Sequence, residues 1–324
     1  MTILFTHAQN ALRTDIEVKK DSIDVLINIA RRLESSKTLS AAETYYTRAF
    51  NLAKSTNDNF QILTIGLRLV EFQIYQSGNY NDAEEVLNDL LKYFTKNKNQ
   101  NGIVSCYIDY GRLHQKKQHF VSALKHYNFA LEAVESVTDN NLHWRVYTAR
   151  GNLLRILGDD EHALKDFKNA LKYVNKETSE YDKSLTYINM SSAFEKIQLD
   201  SCIYYSELAA LKCSPKTNLR YCNLAYNNLA WAYHLKGNSQ KALNIINTNV
   251  DLNKVEYGSF DNLYAALMHT LGVINLNLNA YDKAITHFET SQEYFIKRND
   301  IFNIVQTKED LSKAYEKVGK LKES

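Results

Sequence analysis

The sequence predicts an all-α protein built from stacked pairs of helices. Three observations carry that expectation. Proline occurs once in 324 residues and glycine ten times, so few positions interrupt a helix. A set of landmark residues returns about every 40 positions from Ala30 to Ser312, which is how helical repeats show themselves in sequence. Within each interval a glycine often follows the first landmark by seven residues and an alanine by twelve, which divides the interval into two helices around a turn.

Each landmark has a physical cause. The first is a small residue: Ala30, Gly111, Gly151, Ser191, Ala230, Gly272 and Ser312, with Glu71 holding the place in the second unit. Their spacings are 41, 40, 40, 40, 39, 42 and 40. A small side chain lets two helices approach closely. An aromatic or apolar residue mostly follows three later, as at Leu33, Ile74, Leu154, Phe194, Tyr233 and Tyr315. Then come Gly78, Gly158, Gly237 and Gly319, with Asn279 once in that place. Glycine is expected there because the turn calls for a left-handed backbone, and asparagine is the next best residue. Ala42, Ala83, Ala123, Ala163, Ala242 and Ala284 follow, and Tyr46, Tyr127, Phe167 and Phe288 lie four beyond their alanines, on the same helix face. One such pair cannot bury its apolar face alone, so neighbours must stack.

The units are expected to start near 23, 64, 104, 144, 184, 223, 265 and 305, with the last one incomplete. That gives about seven and a half helix pairs over residues 23–324, after an N-terminal segment 1–22 that is either a capping helix or the remnant of a signal peptide. The fifth unit is the weakest. It lacks the turn glycine, places Cys202 or Ser201 where alanine belongs, and precedes the single proline, Pro215. The chain ends with Ser324 at the alanine place of an unfinished second helix. Without a covering helix, the expectation is a fragment of a longer protein. The alternative is that the half unit is itself the cap.

Bulk composition narrows the function. Charged residues make up 23% and the formal net charge is +2, which gives no electrostatic case for nucleic acid or an anionic membrane. No apolar run approaches the length of a membrane span, so no direct membrane insertion is expected. The 22 tyrosines suit interfaces between helices. Cys106, Cys202, Cys213 and Cys222 show neither a CxxC pair nor zinc-ligand spacing, so free, at least half-buried thiols are expected. His114 and His119 straddle a predicted turn, and His126 lies on the next helix; none forms an i,i+4 metal pair. Asp159-Asp160-Glu161 and Glu84-Glu85 read as helix-start carboxylates. KYFTKNKNQN (92–101) reads as a solvated loop between units. No phosphate loop, dinucleotide fingerprint, zinc-protease or serine-hydrolase motif occurs. The expectation is therefore no enzyme, no metal and no cofactor.

The stretches LGVINLNLNAYDKAITHFETS (271–291), GNLLRILGDDEHALKDFKNAL (151–171) and LAWAYHLKGNSQKAL (229–243) resemble tetratricopeptide repeats. The resemblance covers about residues 23–324, in a variant with a longer repeat than the common 34 residues, and resembles the sensor and scaffold regions of bacterial signalling proteins. It implies a right-handed α-solenoid whose first helices line a concave face where protein or peptide partners lie. The positions that would face it are two before and one after the small residue: Asn28 and Arg31, Asp109 and Arg112, Ala149 and Asn152, Asn189 and Ser192, Asn228 and Trp231, Thr270 and Val273. Arg155, Glu195 and His234 follow one turn along, with Arg145, Asn227 and His269 nearby. The candidate peptide groove is Arg112, Arg145, Asn152, Arg155, Asn189, Asn227, Asn228 and Trp231. Asparagine offers a peptide backbone both a donor and an acceptor, arginine can grip a carboxylate, and Trp231 supplies an apolar anchor.

Two functional readings follow. The first is a peptide- or protein-binding scaffold, the sensor or interaction region of a larger bacterial signalling protein with a fused C-terminal output domain. The second is a structural adaptor that self-associates into a homo-oligomer through its end repeats, without a discrete ligand. The expected compartment is the cytoplasm, or the periplasm if residues 1–9 end a signal peptide.

Overall fold

The computed structural model describes residues 22–174, 180–212, 215–254, 263–297 and 300–319. The N-terminal stretch MTILFTHAQN, Cys213 and the last five residues lie outside them. Among the described residues there are fifteen α-helices and no strand. They form consecutive pairs: α1 (22–35) with α2 (Leu39–Lys54), α3 (Asn59–Phe72) with α4 (Tyr80–Lys96), α5 (Gln100–Lys116) with α6 (Phe120–Val134), and α7 (Asn140–Ile156) with α8 (Asp160–Lys172). Then come α9 (Glu180–Phe194) with α10 (Leu199–Lys212), α11 (Pro215–Leu235) with α12 (Ser239–Asn249), and α13 (Leu263–Asn277) with α14 (Tyr281–Lys297). Helix α15 (Ile301–Lys317) begins an eighth pair. Pro215 is the first residue of α11, where its missing N–H costs nothing.

The landmarks do the work their spacing predicts. Gly78, Gly158, Gly237 and Gly319 have φ of 74°, 82°, 84° and 76°, and Asn279 has 61°. Lys37 and Gln118, at the same place in units without glycine, also take φ of 61° and 60°. Chain reversal imposes the left-handed residue even where the side chain resists it. Gln198, in the fifth unit, does not adopt it.

The small residue makes room for the aromatic of the partner helix. A Cβ on Gly272 would stand 2.5 Å from Phe288 Cδ1, and one on Gly111 would overlap the Tyr127 ring. The six landmark alanines are completely buried, and so are Tyr46, Tyr127, Phe167 and Phe288 at 0–1% exposure. In the fifth pair the trio becomes Ser191, Cys202 and Ser206. The two hydroxyls bond at 2.5 Å, and the Cys202 Sγ lies 3.5 Å from Ser191 Oγ. Cys106, Cys202 and Cys222 are buried.

Two expectations are corrected. Glu84 and Glu85 do not start a helix, because α4 begins at Tyr80; Glu84 instead accepts from Lys117 Nζ at 2.6 Å. KYFTKNKNQN is not a loop: α4 runs on to Lys96 and α5 starts at Gln100, leaving a three-residue turn. Lys92 and Lys96 sit on the polar face of an amphipathic helix that buries Leu87, Leu90 and Phe94, and Lys98 takes a left-handed backbone in the turn.

The chain divides into two compact units, Met1–Leu153 and Leu154–Ser324. In the first, α3 packs on both α4 and α5. The segment Gln73–Ser77, which follows α3, is a π-helix. In the second unit α9 packs on α11, α11 on α13 and α13 on α15. First helices thus touch first helices within each unit, and this contact builds a continuous face.

Candidate functional site

The second unit's first-helix face is built from a matched pair of helix turns. Ser192 lies on the last turn of α9 and Glu195 directly follows the helix end, three residues on. Asn228 and Trp231 lie three apart on α11, so that pair shares a face. Asn228 Nδ2 donates to Ser192 Oγ at 3.1 Å, and Trp231 Nε1 donates to Glu195 Oε1 at 3.0 Å. The bonds span the same 36 residues, so they tie one repeat to the next.

Why Glu195 is available follows from the repeat itself. It stands four residues beyond the small Ser191. In the first and third pairs that place holds Glu34 and Gln115, which accept the hydroxyls of the buried Tyr46 and Tyr127 at 2.7 Å and 3.1 Å. The fifth pair has Ser206 in place of the tyrosine, and Ser206 bonds Ser191. Glu195 therefore serves Trp231. In the fourth pair the place belongs to Arg155, and the matching aromatic is Phe167, which has no hydroxyl.

Arg155 is half-buried, and its Nε has no hydrogen-bond partner. Burial lowers its pKa, with Asp160 and Glu195 pulling the other way. Two amides of the second unit are also incompletely satisfied. Asn227 is 8% exposed with an unpartnered Oδ1, and Asn189 is 9% exposed with an unpartnered Nδ2. Arg155, Glu195, Asn227, Asn228 and Trp231 line one cavity of about 450 Å³. Ala266, His269 and Thr270 of α13, Phe295 of α14, and Phe302, Asn303 and Gln306 of α15 complete its wall. Phe302 is 77% exposed, a large apolar ring held over a polar pocket. His269 Nε2 meets Asp310 Oδ2 at 3.2 Å, and Asp310 also accepts from Lys313 at 2.7 Å. His234 is taken up by the scaffold, with its Nδ1 2.8 Å from Ser239 Oγ.

The candidate residues of the first unit have a different setting. Arg112 donates to Asp109 Oδ1 at 2.8 Å, and Asp109 is buried. Burial depresses the Arg145 pKa, while Asp109 raises it and Arg112 lowers it further. Asn152 is half-buried with an unpartnered Oδ1. Asn28 and Arg31 line a separate cavity of about 570 Å³ with Gln61, Arg68 and the exposed Phe60. Arg68 is closed off by Glu34 at 2.6 Å and Glu71 at 2.9 Å.

The structure thus gathers Arg155, Asn227, Asn228 and Trp231 of the candidate set around one cavity. Asn189 lies on α9 within the same unit but does not line it. Arg112, Arg145 and Asn152 belong to the other unit. Sequence reasoning missed Phe302, Asn303 and Gln306, because it read one register, two before and one after the small residue. In α15 that register holds Asp310 and Lys313, which bond each other. The available signal was Ile301-Phe302, two adjacent apolar residues just after the N-cap Asp300, where a buried first turn would be unusual.

Among the described residues no cluster of three or more histidine, cysteine, aspartate or glutamate side chains could hold a metal ion. None of the described helices is long and apolar enough to cross a membrane.

Residues 221–297 match the family model for the tetratricopeptide repeat. No curated protein matches the chain in sequence. Several solved structures share its fold. One is a tetratricopeptide repeat protein from Parabacteroides merdae, at 18% identity and TM-score 0.55, with 91% of this chain and 99% of that one covered. Another is a signal transduction ATPase with numerous domains from Pyrococcus horikoshii, which carries a tetratricopeptide repeat sensor. It matches at 16% identity and TM-score 0.64, over 92% of this chain and 46% of that one. A third is a Rap protein complexed with competence and sporulation factor, at 19% identity and TM-score 0.58, with 80% and 72% covered. The chain has the tetratricopeptide-repeat fold, and over residues 221–297 it carries that family's sequence.

Proposed function

We propose that this protein is an interaction scaffold that holds an extended peptide or partner segment on the first-helix face of its second unit. The tetratricopeptide fold supports the scaffold reading. The observation that carries the peptide reading is Arg155: a half-buried cation with an unpartnered Nε, on the wall of a cavity shared with Asn227, Asn228 and Trp231. A folded protein rarely leaves such a donor unsatisfied unless something else completes it. A peptide supplies what is missing. Its carbonyl or carboxylate oxygens accept from Arg155, its N–H groups can serve Asn227 Oδ1, and an apolar side chain can lie between Trp231 and Phe302. The likeness to a sensor region in the P. horikoshii protein supports a sensing or recruiting role within a larger signalling protein.

The test is selection of binders from a displayed peptide library, followed by titration of the best peptide against Arg155→Met and Trp231→Ala. Each variant is expected to weaken binding about tenfold or more, the loss of one good charged hydrogen bond or anchor. Arg155→Met should do so with an unchanged melting temperature, whereas Trp231→Ala also loses the bond to Glu195 and should lower it. Binding indifferent to both substitutions sinks the reading. Concentration-dependent light scattering without any selected peptide would instead favour the self-associating adaptor.

A further inference from the structure

The first unit carries a cleft of its own that the peptide groove does not use. Helices α2 and α4, the second members of their pairs, leave a cleft of about 790 Å³ between them. Its floor includes Phe50, Leu69 and Gln73, and its rim holds Glu43 from α2 and Asp82, Glu85 and Asp89 from α4. We propose that this cleft is a binding site for a lysine- or arginine-bearing segment of a partner protein.

The first argument is electrostatic. Asp82, Glu85 and Asp89 are spaced three and four apart, so they share one face of α4, where like charges repel. The helix N-terminus compensates only Asp82, which lies in the first turn. Lys54 answers Asp89 alone, at 3.3 Å. Arg48, the other base at the cleft, lies over the Tyr45 ring at 5.5 Å. Four acids and two bases give the cleft a formal charge of 2 − 4 = −2, in a chain whose net charge is +2.

The second argument is an unsatisfied acceptor, independent of the charges. Gln73 is 3% exposed and opens the π-helix. Its Nε2 donates to Glu43 Oε1 at 3.0 Å. A carboxylate only accepts, so the amide can face no other way. Gln73 Oε1 is then left buried without a donor. Asn79 Nδ2 holds the other Glu43 oxygen at 2.7 Å, so Glu43 is fixed by two neutral amides and keeps its charge at the cleft. The missing group is a donor that is also cationic, which describes a lysine ammonium or an arginine guanidinium. Its aliphatic stem suits a floor of Phe50 and Leu69.

The third argument concerns length. Lining residues run from Ser40 to Lys54 on α2, about 21 Å at the helical rise. That spans roughly six residues of extended chain, too long for a single ion. The occupant is therefore a short basic segment.

The test is fluorescence anisotropy with a labelled hexapeptide of alternating alanine and lysine, against wild type and three variants. Wild type is expected to bind it and to ignore the glutamate counterpart. The double variant Asp82→Asn, Glu85→Gln should weaken binding tenfold or more, and both changes are on exposed side chains that the fold tolerates. Gln73→Leu should also weaken it, with circular dichroism checking the fold; Arg155→Met should leave it unchanged. The proposal is overturned by no binding by wild type at low ionic strength, by binding untouched by the double variant, or by competition by spermidine as effective as by the peptide. Full binding by a folded Gln73→Leu would reduce the cleft to diffuse surface charge and overturn the site as built here.

Discussion

The two units place residues at the same register of the same repeat and obtain opposite outcomes. In the first unit the place four beyond the small residue is occupied by Glu34 and Gln115, and each is used by a buried tyrosine. Arg68 there is closed by two carboxylates. In the second unit the same place holds Arg155 and Glu195, but the partner positions offer no tyrosine hydroxyl. Glu195 turns to Trp231, and Arg155 keeps an unpartnered Nε. The difference teaches that a polar residue type at a groove position does not mark a binding face. What marks it is whether the packing partner has already consumed that residue's hydrogen bonds.

The largest expected effect tests what the units share. Gly272→Val in the second unit and Gly111→Val in the first should each destabilise by about 2–3 kcal/mol, because the added carbons collide with Phe288 and Tyr127. Chemical denaturation would read this, and a much smaller loss in either unit would break the equivalence of the repeats. Next in size, Arg68→Met should cost about 1–2 kcal/mol, because Glu34 is left mostly buried with only the Tyr46 hydroxyl to serve it. Melting curves of the variant would show it.

A third prediction concerns pH and a histidine stack of the first unit. His126 stacks on His114 with ring centroids 5.0 Å apart and on Tyr110 at 4.8 Å. Burial, then His114 and Lys125, hold the His126 pKa down to about 4, against Glu84. Burial likewise lowers His114, with Lys117 and His119 adding to it. Both imidazoles are thus favoured neutral in the folded state. Their contribution is full above the ordinary value of 6.5 and is lost as pH falls towards 4. The loss should be on the order of 1 kcal/mol after solvent screening. Thermal melts across that window should show His126→Phe flattening the dependence; an unchanged slope refutes it.

The smallest effect separates the units most sharply. Arg155→Met should leave stability within ~0.5 kcal/mol of wild type or raise it, since no partner is orphaned by the change. If Arg155→Met unfolds the second unit, Arg155 is a structural residue and the groove reading falls with it.

Much of this was legible in sequence. The glycine seven beyond the small residue predicted four left-handed turns, and Asn279 a fifth. The alanines predicted the buried face of the second helices, and the weak fifth pair announced its missing turn residue. Lys37 and Gln118 were not legible, because neither residue advertises a positive φ; the tight chain reversal imposes it. The extent of α4 was missed because its lysines and asparagines looked like loop residues, while the apolar spacing of Leu87, Leu90 and Phe94 ran on beneath them.

The sequence by itself determined the helix pairs, their period, their turns and the residues that would meet between partners. All of these depend on contacts within one repeat or its immediate neighbour, and local spacing encodes such contacts. Only the tertiary structure decided which groove residues are spent and which remain available. Asp109 consumes Arg112 in the first unit and Glu195 holds Trp231 in the second, while Asn227 keeps an idle acceptor in the cavity it shares with Glu195 and Trp231. Hydrogen-bond satisfaction depends on what stands across the interface about 36 residues away, and no single register of the repeat records that.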